Sequence, residues 1–203
     1  MNAEPRRRAL TVASLAGERF LRFAEEHSYD SSDETRIKSQ YAAQLLAADP
    51  STGALGIHAC GDLVSAASFG VVPLPRRGAV SGRIDVVVTP RAYRGRGLAR
   101  AAVGSVLSSL LERFGEALEH VSVIAAHPAM AHIVEGLGFA DAQVGATAPV
   151  LHRALDASGR AALRASAELA MDVAVQSSAT ECARCMWGRQ RPWCGRKDGP
   201  RGA

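Results

Sequence analysis

This chain of 203 residues has very little lysine, no long apolar run and no evenly spread set of cysteines. No apolar run approaches the roughly 18 residues needed to cross a bilayer, so we expect no membrane span. The four cysteines, at positions 60, 182, 185 and 194, crowd toward one end and do not resemble a disulfide framework. Only two of the 24 basic residues are Lys, which we attribute to genome base composition.

Excess positive charge is also absent from most of the chain. Residues 182–203 carry six basic groups and one acid, whereas residues 1–181 carry 18 basic and 19 acidic groups, a net charge of −1. The basic character of the whole chain therefore comes from the tail 182–203. Because nucleic acid could be held only by that tail, we do not expect it as a partner of the rest.

The first residues imitate an export signal without completing one. Arg6-Arg7-Arg8 precedes a short apolar piece that has no clear cleavage site and runs into Glu18-Arg19. We therefore expect a cytoplasmic protein.

Hydrophobic periodicity predicts alternating strands and helices. Strands are expected near 10–12, 55–60, 63–72, 84–88, 121–126 and 150–155, and helices near 14–27, 33–49, 97–114, 128–138 and 156–181. The tail 182–203 shows little periodicity, so we expect it to be irregular and to lack a core of its own.

The most informative stretch joins a β-branched strand to a helix through a glycine-punctuated turn. Pro90 ends the strand, and Gly95 and Gly97 precede the helix. A helix N-terminus offers unpaired N–H groups and partial positive charge, and glycines let an anion approach the backbone. Full positive charges flank the turn at Arg91, Arg94, Arg96 and Arg100. This pattern predicts a ligand that bears phosphate; the alternative is a plain turn with solvated arginines.

The order of elements over residues 8–155 resembles the GNAT superfamily of acyl-CoA-dependent N-acyltransferases. The family signature Arg/Gln-x-x-Gly-x-Gly/Ala stands complete as Arg94-Gly95-Arg96-Gly97-Leu98-Ala99, and Glu135-Gly136-Leu137-Gly138-Phe139 follows about 40 residues later. The resemblance implies an α/β (α+β) fold with a mixed, mostly antiparallel central sheet flanked by helices. A C-terminal helix at 156–181 and the tail 182–203 extend this domain.

The resemblance also implies acetyl-CoA as co-substrate. Its pyrophosphate would bind backbone N–H groups of the signature loop, next to Arg100, and its pantetheine arm would pair with the backbone of Val87, Val88 and Thr89. His127, where relatives often carry Asn, would contact the pantetheine or act as a base; its alternative role is that of a helix cap beside Pro128.

Asp85 is the candidate general base because it interrupts an otherwise apolar strand. Strict alternation places Asp85 on the face of Val87, with Ile84 and Val86 on the opposite face. Burial would raise its pKa into a useful range. The alternative is a structural acid paired with Arg83 or Arg100.

One position departs from the family pattern. Many relatives carry a Tyr general acid where this chain has Val134, and valine cannot donate a proton. Either the thiolate leaves unassisted, or Tyr93, His132 or a water substitutes, or catalysis is weak or lost. A basic Glu of some relatives is replaced here by Ser122, which closes that route.

The acceptor is expected between the first two helices, where His27, Tyr29, Asp30, Asp33 and Glu34 cluster. Such an acidic rim would favour a cationic amine, but solvated loop carboxylates are the commoner explanation. Cys182, Cys185 and Cys194 are one ligand short of a tetrahedral site unless His58, Cys60 or a second subunit contributes the fourth, so we do not expect zinc. We predict an N-acetyltransferase acting on an amine in a ternary complex, and leave homodimerisation open. The alternative is a non-catalytic acyl-CoA sensor or scaffold whose basic tail contacts nucleic acid or a protein.

Overall fold

A computed structural model describes residues 10–27, 51–59, 61–125, 128–141 and 150–186. The predicted helix at 33–49, with Tyr29, Asp30, Asp33 and Glu34, lies outside these residues, as do Cys60, His127 and the chain beyond Met186. The described strands are β1 (Leu10–Ser14), β2 (Thr52–Ala59), β3 (Asp62–Pro73), β4 (Val80–Val88), β5 (Leu118–Ile124), β6 (Ala140–Asp141) and β7 (Val150–Ala154). The described helices are α1 (Gly17–His27), α2 (Leu98–Phe114), α3 (Pro128–Glu135) and α4 (Ala157–Met186).

These strands form one sheet in the order β1-β2-β3-β4-β5-β7-β6. Strands β1 to β4 are a meander of antiparallel neighbours, and Gly61, with φ of 91°, allows the tight β2–β3 turn. The pair β4–β5 is parallel because α2 crosses between them. The predicted mixed, mostly antiparallel sheet flanked by helices is thereby confirmed.

The sheet is covered on both faces. On one face α1 packs through Phe20, Phe23 and Ala24 onto Ala54, Ala66 and Val88, a set that also includes Leu15 and that we call the α1-side cluster. On the other face lies the larger α2-side cluster, to which α2 contributes most. It includes Val134 of α3 and Leu137, which follows α3. Because its two faces are covered by different helices, the sheet separates a site on the α1 face from one on the α2 face.

Helix α4 covers the outer side of α2. The two helices lie close together at Gly104, where an added Cβ would lie 3.1 Å from the carbonyl oxygen of Ala167 and 3.2 Å from its Cα. Near the start of α2, Gly97 faces Val173 and Ala174 of α4. Since α2 runs from 97 to 104 while α4 runs from 174 to 167, the helices are antiparallel, and α4 continues past the start of α2.

We expect Gly104→Leu to lower the free energy of unfolding by about 3 kcal/mol, because a side chain there collides with the backbone of α4. Urea denaturation of the full chain measures this difference. Ala161→Leu, on the exposed side of α4, is the matched control and should change stability by no more than about 0.5 kcal/mol. Equal behaviour of the two variants would contradict the close packing at Gly104.

Helix α4 ends at Met186, five residues beyond the predicted boundary at 181. Cys182 and Cys185 therefore lie in its last turn. Among the described helices, none is both long and apolar enough to cross a membrane.

Candidate functional site

The edge of β4 opens where it leaves β5. The parallel pairing ends at Ile84 and Val123, whereas pairing with β3 continues to Val88. Among the described strands, none pairs with residues 85–88 on the β5 side, so the backbone groups there are available to an extended ligand. The residues predicted to bind pantetheine, Val87, Val88 and Thr89, lie along this open edge.

The loop after β4 joins this edge directly to the N-terminus of α2. A 3-10 turn, Arg91–Tyr93, follows Pro90, and Gly95 and Gly97 adopt φ angles of 76° and 74°. Gly97 caps α2 without a side-chain hydrogen bond, so the first N–H groups of the helix stay open to a ligand. The predicted signature loop is therefore a tight turn at a helix N-terminus that has no side-chain cap.

The loop faces open space at Gly95 and is packed against α4 at Gly97. A Cβ built on Gly95 meets no atom of the described residues within 4 Å, whereas one built on Gly97 lies 3.6 Å from Cγ1 of Val173. Helix α4 thus supports the loop from behind and leaves Gly95 facing space that an anion can enter.

The loop arginines have different surroundings. Nε of Arg94 lies 3.3 Å from the carbonyl oxygen of Thr89, and the guanidinium of Arg96 lies 5.7 Å from the ring centroid of Tyr93. Nη2 of Arg100 donates to the carbonyl of Gly136 at 2.8 Å. Arg100 therefore links α2 to the end of α3, in addition to placing positive charge near the loop.

Asp85 lies at a β-bulge. Phe69 pairs with Ile84 and Ser68 pairs with Val86, so Asp85 is the extra residue in β4. Beyond the bulge the alternation is reversed: Ile84 belongs to the α2-side cluster, whereas Val86 packs on the α1-side cluster. The prediction that Ile84 and Val86 share a face, with Asp85 beside Val87, is wrong because strict alternation cannot foresee an inserted residue.

The Asp85 carboxylate lies on the α1 face, in contact with Nε of Arg83. A Cβ built on Gly70 would be 3.3 Å from Nη2 of Arg83 and 3.7 Å from Oδ2 of Asp85. The side chain of Asp85 is only 15% exposed. Burial raises its pKa, and the hydrogen bond and charge of Arg83 oppose that rise only in part. Of the two predicted partners, Arg83 and not Arg100 makes the ion pair.

The proposed proton donors are not equally placed. Val134, which cannot donate a proton, is fully buried in the α2-side cluster. Tyr93 is half-buried beside the loop, and burial raises the pKa of its hydroxyl, with Asp62 adding to the rise. His132 is exposed on α3, and Oγ of Ser122 lies 3.5 Å from the carbonyl oxygen of Gly82. Tyr93 is thus the candidate acid that adjoins the loop.

The acceptor side and the cysteine cluster are described only in part. The ring of His27, at the end of α1, lies 4.8 Å from that of Phe23 in an edge-on contact. His58 is buried in β2, where burial lowers its pKa. Within the described residues, no group of three or more His, Cys, Asp or Glu side chains could hold a metal ion.

Sequence reasoning missed two features of this site. The bulge at Asp85 leaves no compositional mark, since Asp85 would interrupt the apolar strand in the same way without an inserted residue. Ser68, opposite the bulge, is 1% exposed, and its hydroxyl has no hydrogen-bond partner among the described residues. A serine in a predicted strand is not unusual, so no sequence signal singles it out.

Comparison with solved structures relates this geometry to known proteins. A GNAT-family protein from Desulfovibrio desulfuricans is 15% identical, with a TM-score of 0.55 over 73% of this chain and 99% of its own. Arabidopsis thaliana NAA60, in complex with a bisubstrate analogue, is 12% identical, with a TM-score of 0.56 over 73% of this chain and 99% of its own.

A third structure, AtaTR bound with AcCoA, is 14% identical, with a TM-score of 0.53 over 79% of this chain and 97% of its own. No family model and no curated protein sequence matches the chain. At these identities the likeness concerns the fold, and on that basis the chain has the fold of the GNAT superfamily of acetyltransferases.

Proposed function

We propose that this protein is an N-acetyltransferase that transfers an acetyl group from acetyl-CoA to an amine. The observation that carries the proposal is the continuity of the open β4 edge, 85–88, with the uncapped loop before α2. One solved neighbour is described as bound with AcCoA and another as bound to a bisubstrate analogue. The fold supports acetyl transfer in general. The cofactor contacts and the base are proposed from the residues of this chain's own site.

The residues present fit acetyl-CoA. Gly95 faces open space, so the diphosphate could approach the N–H groups of residues 94–99, with the positive end of the helix dipole behind them. The open edge at Val87, Val88 and Thr89 would pair with the amide groups of pantetheine. Arg100 would add charge near the phosphates, and His127 stays a predicted contact to the pantetheine.

Asp85 would act as the base. When bound, acetyl-CoA supplies an electrophilic thioester carbonyl and a thiolate leaving group. Asp85 takes a proton from the ammonium of the acceptor, directly or through a water, and the neutral nitrogen forms the C–N bond as the C–S bond breaks. The electron pair of the C–S bond would leave with sulfur, and the extra proton on the newly acylated nitrogen would pass to water. A proton from water, or from a Tyr93 that water then reprotonates, would restore the thiol.

A panel of acceptors tests this function. We expect release of the CoA thiol that requires both acetyl-CoA and one of these classes: amino acids, polyamines, aminoglycosides or peptides with a free N-terminus. No release across the whole panel, with acetyl-CoA bound, would contradict the enzyme and support a sensor.

The sensor is the second candidate because Val134 is buried and apolar where relatives carry the acid. It predicts tight binding of acetyl-CoA without turnover. It also predicts salt-sensitive nucleic-acid binding that is lost when residues 182–203 are deleted.

A further inference from the structure

Ser68 lies at the border between apolar and polar parts of the α1 face. Its cross-strand neighbours are Ala54 on β2 and Val86 on β4, both packed with α1. Two residues further along β3, Gly70 is surrounded by Arg83, Asp85 and Thr52. The serine is therefore the last polar residue before the hydrophobic cluster begins.

The bulge brings Ser68 and Asp85 together. Two residues of β4, Asp85 and Val86, oppose the single residue Ser68. Directly opposed residues, here Ser68 and Val86, usually have Cβ atoms about 5 Å apart. Asp85 is the inserted residue next to that pair. A hydroxyl and a carboxylate at these neighbouring positions can share one small polar occupant that lies between them.

The hydroxyl of Ser68 is unusual because the fold does not use it. It is 1% exposed and has no hydrogen-bond partner in the described part of the chain. Leaving a buried hydroxyl unpaired costs free energy, so such a group is expected to be retained for a ligand. Ser65, three residues earlier, differs: its Oγ lies 3.1 Å from the Val88 carbonyl oxygen and 2.8 Å from Oγ1 of Thr89.

We propose that Ser68 is a positioning residue that holds, together with Asp85, one polar occupant on the α1 face: water in the free protein and the amine nitrogen of the acceptor during transfer. This inference rests on the proposed function for the identity of the amine. The Ser68 hydroxyl accepts a hydrogen bond from an N–H or O–H of the occupant. This hydrogen bond orients another hydrogen of the occupant toward the carboxylate of Asp85. Proton transfer to Asp85 then occurs from a fixed geometry.

The groups around Asp85 allow the effect of Ser68 on the pKa of its carboxyl to be measured. Arg83 on β4 is the charged group that acts on its carboxylate. The strands beside it present Thr52, Ala54 and Gly70, and α1 presents Phe20, Phe23 and Ala24, none of which ionises. Loss of an ordered hydrogen-bond donor to the ionised carboxylate raises the pKa of Asp85.

The test compares Ser68→Ala with Ser65→Ala in the full chain, and its first two measurements need no acceptor. Ser65→Ala breaks a used hydrogen bond and should lower the folding equilibrium constant about fivefold, whereas Ser68→Ala should leave it unchanged or raise it. NMR titration of the Asp85 carboxyl should show a higher pKa in Ser68→Ala than in the wild type and no change in Ser65→Ala.

With an acceptor that the panel identifies, Ser68→Ala should lower kcat about tenfold and leave the KM for acetyl-CoA within twofold. An unchanged Asp85 titration in Ser68→Ala, or a loss of stability equal to that of Ser65→Ala, would overturn the role of Ser68. A wild type that shows no turnover at all would overturn the proposed function, while the titration would still decide whether Ser68 and Asp85 share an occupant.

Discussion

Replacement of Gly95 by Ala is expected to weaken the binding of acetyl-CoA about 100-fold. The Cβ would project into the open space above the loop, where no other atom of the described part of the chain lies within 4 Å. There it would hold the diphosphate away from the N–H groups before α2. Each lost hydrogen bond to a charged group is worth about 1.5–3 kcal/mol, and the loss of one or two accounts for that factor. Isothermal titration calorimetry with acetyl-CoA measures the effect.

Gly78 provides a matched control. Its φ is 79°, nearly that of Gly95, and a Cβ there also lies more than 4 Å from every atom in the segments that the structure describes. Both Gly→Ala changes carry the same penalty of about 1–2 kcal/mol for a left-handed residue, so both should lower the melting temperature alike. If Gly78→Ala and Gly95→Ala bind acetyl-CoA equally well, the loop before α2 is not the phosphate site.

How far the sequence predicts this fold is clearest in α2. Apolar residues recur every four positions at Leu98, Ala102, Val106, Leu110 and Phe114, a spacing that predicts one buried stripe. The structure buries the first four in the α2-side cluster, and Phe114 packs on it partly buried. Ala101 and Gly104 are buried as well, on the side where α4 packs. Small residues carry little hydrophobic signal, so a close helix–helix contact made through them cannot be recognised from periodicity.

The candidate site likewise has one part that the sequence predicts and one part that it does not. The loop was predictable because an unusual backbone conformation requires glycine, and Gly95 and Gly97 both have positive φ. The environment of Asp85 was not predictable, because the bulge is fixed by the pairing of β4 with β3 and not by residue type. The motif thus indicates the donor site, while the orientation of the base depends on register.

Asp85→Asn is expected to lower kcat by about 10²–10⁴-fold, the usual contribution of a general base, without weakening acetyl-CoA binding. The amide preserves the shape of the side chain but cannot take a proton. Asp172→Asn, on the exposed side of α4, is the control and should behave as the wild type. CoA thiol release with the identified acceptor measures both variants.

The same substitution should have the opposite effect on stability, which separates a catalytic loss from unfolding. Burial raises the folded-state pKa of Asp85 above its ordinary value of 3.8. Stability from the protonated carboxyl is therefore fully present below about pH 4 and is lost as pH rises through the folded-state pKa. Above that pKa, Asp85→Asn should unfold at a higher urea concentration than the wild type, and the difference should disappear at low pH.

The sign of that difference decides between the two roles of Asp85. A structural acid held by Arg83 would make Asp85→Asn less stable at pH 7 and leave turnover intact, because the ion pair would then contribute more than burial costs. A base retained for chemistry gives the reverse, a more stable protein with little turnover. Urea unfolding at pH 4 and pH 7, combined with the rate of thiol release, distinguishes these outcomes, because only the catalytic role reduces turnover while stability at pH 7 rises.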